Sequence, residues 1–227
     1  MAPKGACLAL QGSSAAPRDL TTMQMPYSGV ILAGGLNTRF GGRNKAFIQI
    51  GGKTIFQRLY DLYRQLFEEI IVVTNDPLAY LDCSALIVSD LFSIRSSLTG
   101  IHAGLFAASR PFAFFAACDT PFLQKDLVQH LLQHIDPQVD VVIPEPSKGF
   151  YEPLCAVYSK ACLKPIEAQL HQGRLQIIRF FRQIRLKSVP QTELRQSDPD
   201  LVSFFNINTP ADLQKAEAMH TDQRGLA

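Results

Sequence analysis

The sequence predicts an α/β fold, a mostly parallel sheet with helices packed on both faces. Three observations predict it. Short apolar runs rich in branched residues recur along the chain, and amphipathic stretches of helical period separate them. The 227 residues show no internal repeat and no linker, so one packed domain accounts for the length.

Gly29-Val30-Ile31-Leu32-Ala33 is the first run, stopped by Gly34-Gly35. A continuous branched run of this length suits a strand buried on both faces. Phe47 to Ile50 reads as a short strand and Gly51-Gly52-Lys53 as the tight turn after it. Thr54 to Phe67 then places Ile55, Leu59, Leu62 and Leu66 on one helical face. Strands follow at Ile70 to Thr74, Leu86 to Ser89, Phe112 to Ala117 and Val139 to Ile143. Between them, Gly100 to Ser109 and Asp126 to Ile135 read as helices. Beyond Pro144 the alternation weakens. Pro153 to Tyr158 and Arg185 to Val189 read as strands, Ala161 to His171 and Leu175 to Gln183 as helices. Pro210 to Met219 is a closing helix with Thr209 as N-cap and Pro210 at N1. The expected organisation is a disordered tail over 1–26, one domain over 27–220 and a frayed end over 221–227. Met23 and Met25 offer alternative starts just before the fold, and Ala6 to Leu10 is too short for a signal-peptide core.

Composition narrows the function classes. The formal net charge is +2 with scattered basic residues, which argues against a nucleic-acid surface but leaves room for a small anionic ligand. No apolar run approaches the roughly 20 residues that span a bilayer. Five cysteines, widely spaced and without a C-x-x-C pair, suggest neither a disulfide framework nor a thiolate zinc site, and point to a reduced, cytoplasmic setting.

The strongest local signal runs from Leu32 to Lys45, L-A-G-G-L-N-T-R-F-G-G-R-N-K. Glycines let backbone N–H groups close around phosphate oxygens, Arg39 can grip a terminal phosphate in bidentate fashion, and Lys45 can set a point charge on an inner one. The dinucleotide fingerprint G-x-G-x-x-G is absent here. A Walker A loop ending at Gly52-Lys53-Thr54 would need glycine at position 47, which is Phe47. A flexible surface connection is the alternative; four glycines and two bases directly after a buried strand favour phosphate binding.

This segment, L-A-G-G-x-x-x-R-x-G-G-x-x-K, resembles the signature of the molybdenum cofactor guanylyltransferase family, and the resemblance runs from about Gly29 to Met219. It implies a Rossmann-like, nucleotide-diphospho-sugar transferase-like fold: a mostly parallel twisted sheet flanked by helices. The implied reaction moves GMP from GTP to molybdopterin with release of pyrophosphate. By the same resemblance Leu32, Ala33, Gly34 and Gly35 contact the nucleotide, Arg39 the distal phosphates, and Lys45 the α-phosphate region. Asn44 stands where the family usually has Asp; its side chain can still bond the loop backbone, without the charge.

Cys118-Asp119-Thr120-Pro121-Phe122 closes the strand Phe112 to Ala117. An Asp there either caps the turn or offers hard oxygens at the ligand rim of an open sheet. The C-D-x-P-F resemblance makes Asp119 the ligand of Mg²⁺ or Mn²⁺ and, with Lys45 and Arg39, catalytic. Asn75 and Asp90 follow two other strands; each can be a turn residue, and the resemblance assigns both to the nucleotide. Ser97 to Gly100 stands where the family often has a Gly-Pro-Leu-x-Gly loop near the base. Phe205-Asn206-Ile207-Asn208-Thr209-Pro210 resembles the family's N-x-N-T-P segment and places Asn206 and Asn208 toward the acceptor. The implied partners are GTP and molybdopterin or molybdenum cofactor, then molybdoenzyme maturation proteins; no nucleic acid or membrane is expected. Rival readings are a cytidylyl or other nucleotidyltransferase with a different phosphorylated acceptor, and a non-catalytic molybdenum cofactor-binding protein. His130 and His134, four apart on a helix, have zinc-pair spacing. They lack the H-E-x-x-H glutamate and any third ligand visible in the sequence, and are read as surface or half-buried side chains.

Overall fold

The computed structural model of the chain describes residues 24–34 and 44–225. In chain order these form β1 (Met25–Leu32), the hairpin β2 (Gln49–Ile50) and β3 (Lys53–Thr54), α1 (Ile55–Leu66), β4 (Phe67–Val73), β5 (Leu86–Val88) and α2 (Ser97–Ala107). They continue with β6 (Phe112–Ala117), α3 (Lys125–Gln133), β7 (Val141–Glu145), β8 (Cys155–Ser159), α4 (Leu163–His171), β9 (Leu186–Pro190), α5 (Gln191–Ser197) and α6 (Pro210–Gly225). β1 thus starts two residues before the expected domain boundary, and α6 continues into the stretch expected to fray.

Seven strands make one sheet in the order β5-β4-β1-β6-β8-β7-β9. β8 runs antiparallel to both neighbours, and the other strands pair in parallel. The apolar runs are unbroken because both faces are covered. Val30, Ile71, Val73 and Phe115 point into one core layer, while Ile31, Val72 and Phe114 point into the other. α1, α3 and α5 cover the second layer, and α2 and α4 the first.

Local chemistry explains the element boundaries. Gly51 and Gly52 both have positive φ, 56° and 83°, which a two-residue hairpin turn of this hand requires. Thr54 then starts α1 with a capping box: Gln57 N–H donates to Thr54 Oγ1 at 3.1 Å, and Thr54 N–H donates to Gln57 Oε1 at 3.0 Å. α1 buries Ile55, Phe56, Leu59, Tyr63 and Leu66, so Tyr63 rather than Leu62 completes the inward face. The Tyr63 hydroxyl donates to the Val30 carbonyl at 3.2 Å. The stretch Ile177–Gln183 is a 3-10 helix where an α-helix was expected, and α5 had no counterpart in the sequence reading.

At the far edge, Asp140 clamps β9. Arg185 donates to its carboxylate from Nε at 3.0 Å, from a terminal nitrogen at 2.7 Å and from the backbone at 2.8 Å. These hydrogen bonds hold the Asp140 carboxyl below the usual carboxylate range, against the opposing effect of its burial.

Candidate active site

The chain passes from β1 outward to β4 and β5, then returns across β1 to β6. The strand order therefore reverses between β1 and β6, where open α/β sheets leave a crevice at the carboxyl ends of the strands. A cleft of about 340 Å³ lies there. Leu32, Ala33 and Gly34 line it from the end of β1, Cys118 and Asp119 from the end of β6, and Asn44 and Lys45 from the returning loop. Ala33 N–H donates to Val73 O at 2.8 Å, and Cys118 N–H to Leu32 O at 3.0 Å, so ladder bonds extend to the cleft floor. Gly35 and Arg39, assigned to the phosphates by the sequence reading, lie outside the described residues.

Lys45 is held in place by the segment expected to face the acceptor. Its ammonium donates to the Ile207 carbonyl at 3.0 Å and to Asn208 Oδ1 at 2.9 Å. The Ile207 N–H in turn donates to the Asp119 carbonyl at 2.9 Å. Asp212 fixes the same segment, accepting from Asn208 N–H at 3.0 Å and Thr209 N–H at 2.8 Å, while Asp212 N–H donates to Thr209 Oγ1 at 3.2 Å. Thr209 is therefore the N-cap the sequence implied, and the reciprocal bonds steady Asn208 as well as the helix. Asn206 belongs to this segment and is half-buried.

Asn44 starts a 3-10 helix over Lys45–Phe47, its Oδ1 accepting from Ala46 N–H at 3.0 Å. Its Nδ2 donates to the Tyr80 hydroxyl at 3.1 Å. An aspartate there could make the first bond but could not donate the second. The amide is thus a coherent replacement, and it caps the short helix in which Lys45 is the first residue.

Burial raises the Asp119 carboxyl above its ordinary value, and the nearby Lys45 ammonium pulls it partway back. Glu152, half-buried in the loop between β7 and β8, is raised by burial and by the Asp119 charge. Asp119 lines the cleft with Lys45, and its hard carboxylate oxygens suit a divalent cation such as Mg²⁺. Glu152 was not singled out from the sequence; it lies in the stretch where the strand–helix alternation fails.

Across the cleft, Asn75 Nδ2 donates to Asp90 Oδ2 at 2.9 Å, which joins these two residues expected at the nucleotide into one unit at the ends of β4 and β5. Asp90 lines the cleft. α2 brings its N-terminus to the same wall. Ser96 caps it, Oγ accepting from Thr99 N–H at 3.1 Å, and Arg95, Ser96, Ser97 and Gly100 line the cleft. A helix N-terminus and an arginine together favour an anionic ligand. Arg95 escaped the sequence reading because it stands in an irregular loop with no spacing pattern around it.

α2 approaches the sheet this closely because it carries glycine at the contact. A Cβ on Gly104 would lie 2.6 Å from Val30 Cγ1 and 2.9 Å from Phe115 Cε1. At Gly100 it would meet Leu32 Cδ2 at 3.3 Å. Among the described residues, no helix is long and apolar enough to cross a membrane.

Comparison with known proteins gives a consistent answer. The model of the MobA-like NTP transferase domain matches residues 29–189. A molybdenum cofactor guanylyltransferase of Desulfosudis oleivorans is 48% identical over 191 residues, 84% of this chain and 94% of that protein. A probable molybdenum cofactor guanylyltransferase of Pelotomaculum thermopropionicum is 34% identical over 197 residues, 87% of this chain and 95% of that one. The crystal structure of molybdopterin-guanine dinucleotide biosynthesis protein A from Archaeoglobus fulgidus superposes with a TM-score of 0.76 at 28% identity, covering 86% of this chain and 99% of that one.

Proposed function

The chain belongs to the MobA-like NTP transferase family, and from that premise we propose that it transfers GMP from GTP to the phosphate of molybdopterin, releasing pyrophosphate. The observation that carries the reading is the convergence of Lys45, Asp119 and the end of β1 on one cleft at the reversal of the strand order. An acceptor phosphate oxygen is already an anion, so it can attack the α-phosphorus directly. The bond to the leaving pyrophosphate breaks, and no covalent enzyme intermediate is required.

The chain's own residues position and neutralise. Lys45, held by the Ile207 carbonyl and Asn208, holds its ammonium where negative charge collects on the α-phosphate. The glycine segment following Leu32, with Arg39, receives the outer phosphates. Asn75 and Asp90 receive the base, an amide donor and a carboxylate acceptor matching the polar edge of guanine. The N-terminus of α2 and Arg95 add positive potential on that side. Asn206 and Asn208 face the acceptor. Asp119 would hold Mg²⁺, or Mn²⁺ in its place. When bound, such an ion offsets charge on the triphosphate. Free cysteines at Cys83, Cys118, Cys155 and Cys162 are in keeping with a cytoplasmic enzyme.

Pyrophosphate release with molybdopterin and Mg²⁺, compared for GTP, CTP, ATP and UTP, tests this reading. GTP-selective release is expected. Release with CTP alone would assign a cytidylyltransferase, and silence with all four would refute the assignment of molybdopterin as acceptor.

A further inference from the structure

Away from the cleft, α3 and α5 bring together three side chains that the reaction does not use. His130 lies in the last turn of α3, His134 caps that helix, and Glu193 stands in the first turn of α5. His130 Nε2 and His134 Nε2 are 3.5 Å apart, and Glu193 Oε2 is 3.6 Å from His134 Nε2. Ligand atoms of all three lie within 4.8 Å of one another, and each side chain is half-buried.

These separations decide what the cluster can hold. Two nitrogens 3.5 Å apart make a long hydrogen bond, and a nitrogen and an oxygen 3.6 Å apart a long ion pair, both longer than the usual optimum. Zinc bonds of about 2.0–2.1 Å in tetrahedral array put neighbouring ligand atoms about 3.3–3.4 Å apart. Two edges of the cluster, 3.5 Å and 3.6 Å, are thus close to those of a zinc tetrahedron, and the third pair of ligand atoms, on His130 and Glu193, lies within 4.8 Å. Imidazole nitrogens with one carboxylate suit Zn²⁺ rather than the hard Mg²⁺ of the cleft.

The geometry points to a second metal site, in which His130, His134 and Glu193 bind one zinc-class divalent ion and leave its fourth position open. Bound there, the ion ties α5 to α3 at the edge of the sheet that carries β7 and β9.

The test uses the full-length chain stripped with a chelator and kept in excess Mg²⁺, so that the oxygen-ligand cleft is not the site read. Titration with Co²⁺ is followed by visible absorption, and Zn²⁺ by competition with a chromogenic chelator. One ion per chain is expected, with the intense visible bands of four-coordinate cobalt. His134→Gln and Glu193→Gln each weaken binding at least tenfold. Zn²⁺ raises the melting temperature of the parent chain but not of Glu193→Gln, which keeps the side-chain volume and is checked for folding by circular dichroism. Unchanged stoichiometry and affinity in both ligand variants would overturn the proposal, as would failure of the parent chain to bind either ion.

Discussion

Replacing Gly104 by alanine tests whether the nucleotide wall depends on the close seating of α2. The new methyl would stand 2.6 Å from Val30 Cγ1, 2.9 Å from Phe115 Cε1 and 3.2 Å from Val73 Cγ2. Carbon atoms prefer about 3.5–4.0 Å, so α2 must retreat by close to an ångström or the core side chains must leave their rotamers. Overpacking of this kind costs about 1–3 kcal/mol, and three buried partners at once argue for the upper end. Alanine in a helix returns about 1 kcal/mol over glycine. The net loss is then about 2 kcal/mol, a fall in melting temperature of roughly 4–8 °C for a domain of this size. The same retreat moves Arg95, Ser96 and Ser97 away from the ligand. An ångström of misplacement can cost about 100-fold in rate, so kcat/KM for GTP falls more steeply than stability. Urea unfolding and steady-state pyrophosphate release measure the two effects. A variant as stable as the parent, or more so, would show that helix propensity outweighs packing and that α2 does not bear on the sheet as described.

Asp119→Asn abolishes turnover yet leaves the melting temperature unchanged or higher, because burial holds this carboxylate above its ordinary pKa and its ionisation at neutral pH opposes folding; calorimetry beside the activity assay checks the pair. Asn208→Ala removes one acceptor from Lys45 and lowers kcat/KM by roughly tenfold, about 1.4 kcal/mol, with the far-ultraviolet spectrum unchanged. Asp140→Asn costs about 1–2 kcal/mol at pH 7 by weakening the clamp on β9. Its carboxyl is depressed in the folded chain, so this stability is present above the unfolded pKa near 4 and is lost as pH falls through the folded value. Unfolding curves of parent and variant should converge on acidification.

Much of this was legible in the sequence for identifiable reasons. Strands buried on both faces leave unbroken branched runs, so β6 was visible at both ends and β1 and β4 at their carboxyl ends, whereas their more polar first residues were missed. The strand end made Asp119 a candidate, the family resemblance chose it over a turn cap, and it lines the cleft. What the sequence hid lies in long-range pairing. Nothing near Lys45 announces that Asn208 will hold it from 163 residues away. Glu152 and Arg95 come from irregular loops whose direction is set by neighbours. α5 is seven residues long and mostly polar, with only Leu194 buried, so it has no periodicity to read. Missing α5 also hid Glu193, the third member of the histidine cluster.

The account stands on the bond that breaks in the nucleotide. Incubating the chain with molybdopterin, Mg²⁺ and GTP labelled with ³²P at either the α- or the γ-phosphate reads it directly. Nucleotidyl transfer predicts that α-label enters the dinucleotide product while γ-label leaves as pyrophosphate. γ-label in the acceptor, or release as inorganic phosphate, would contradict the account, because the cleft would then be serving phosphoryl transfer or hydrolysis instead.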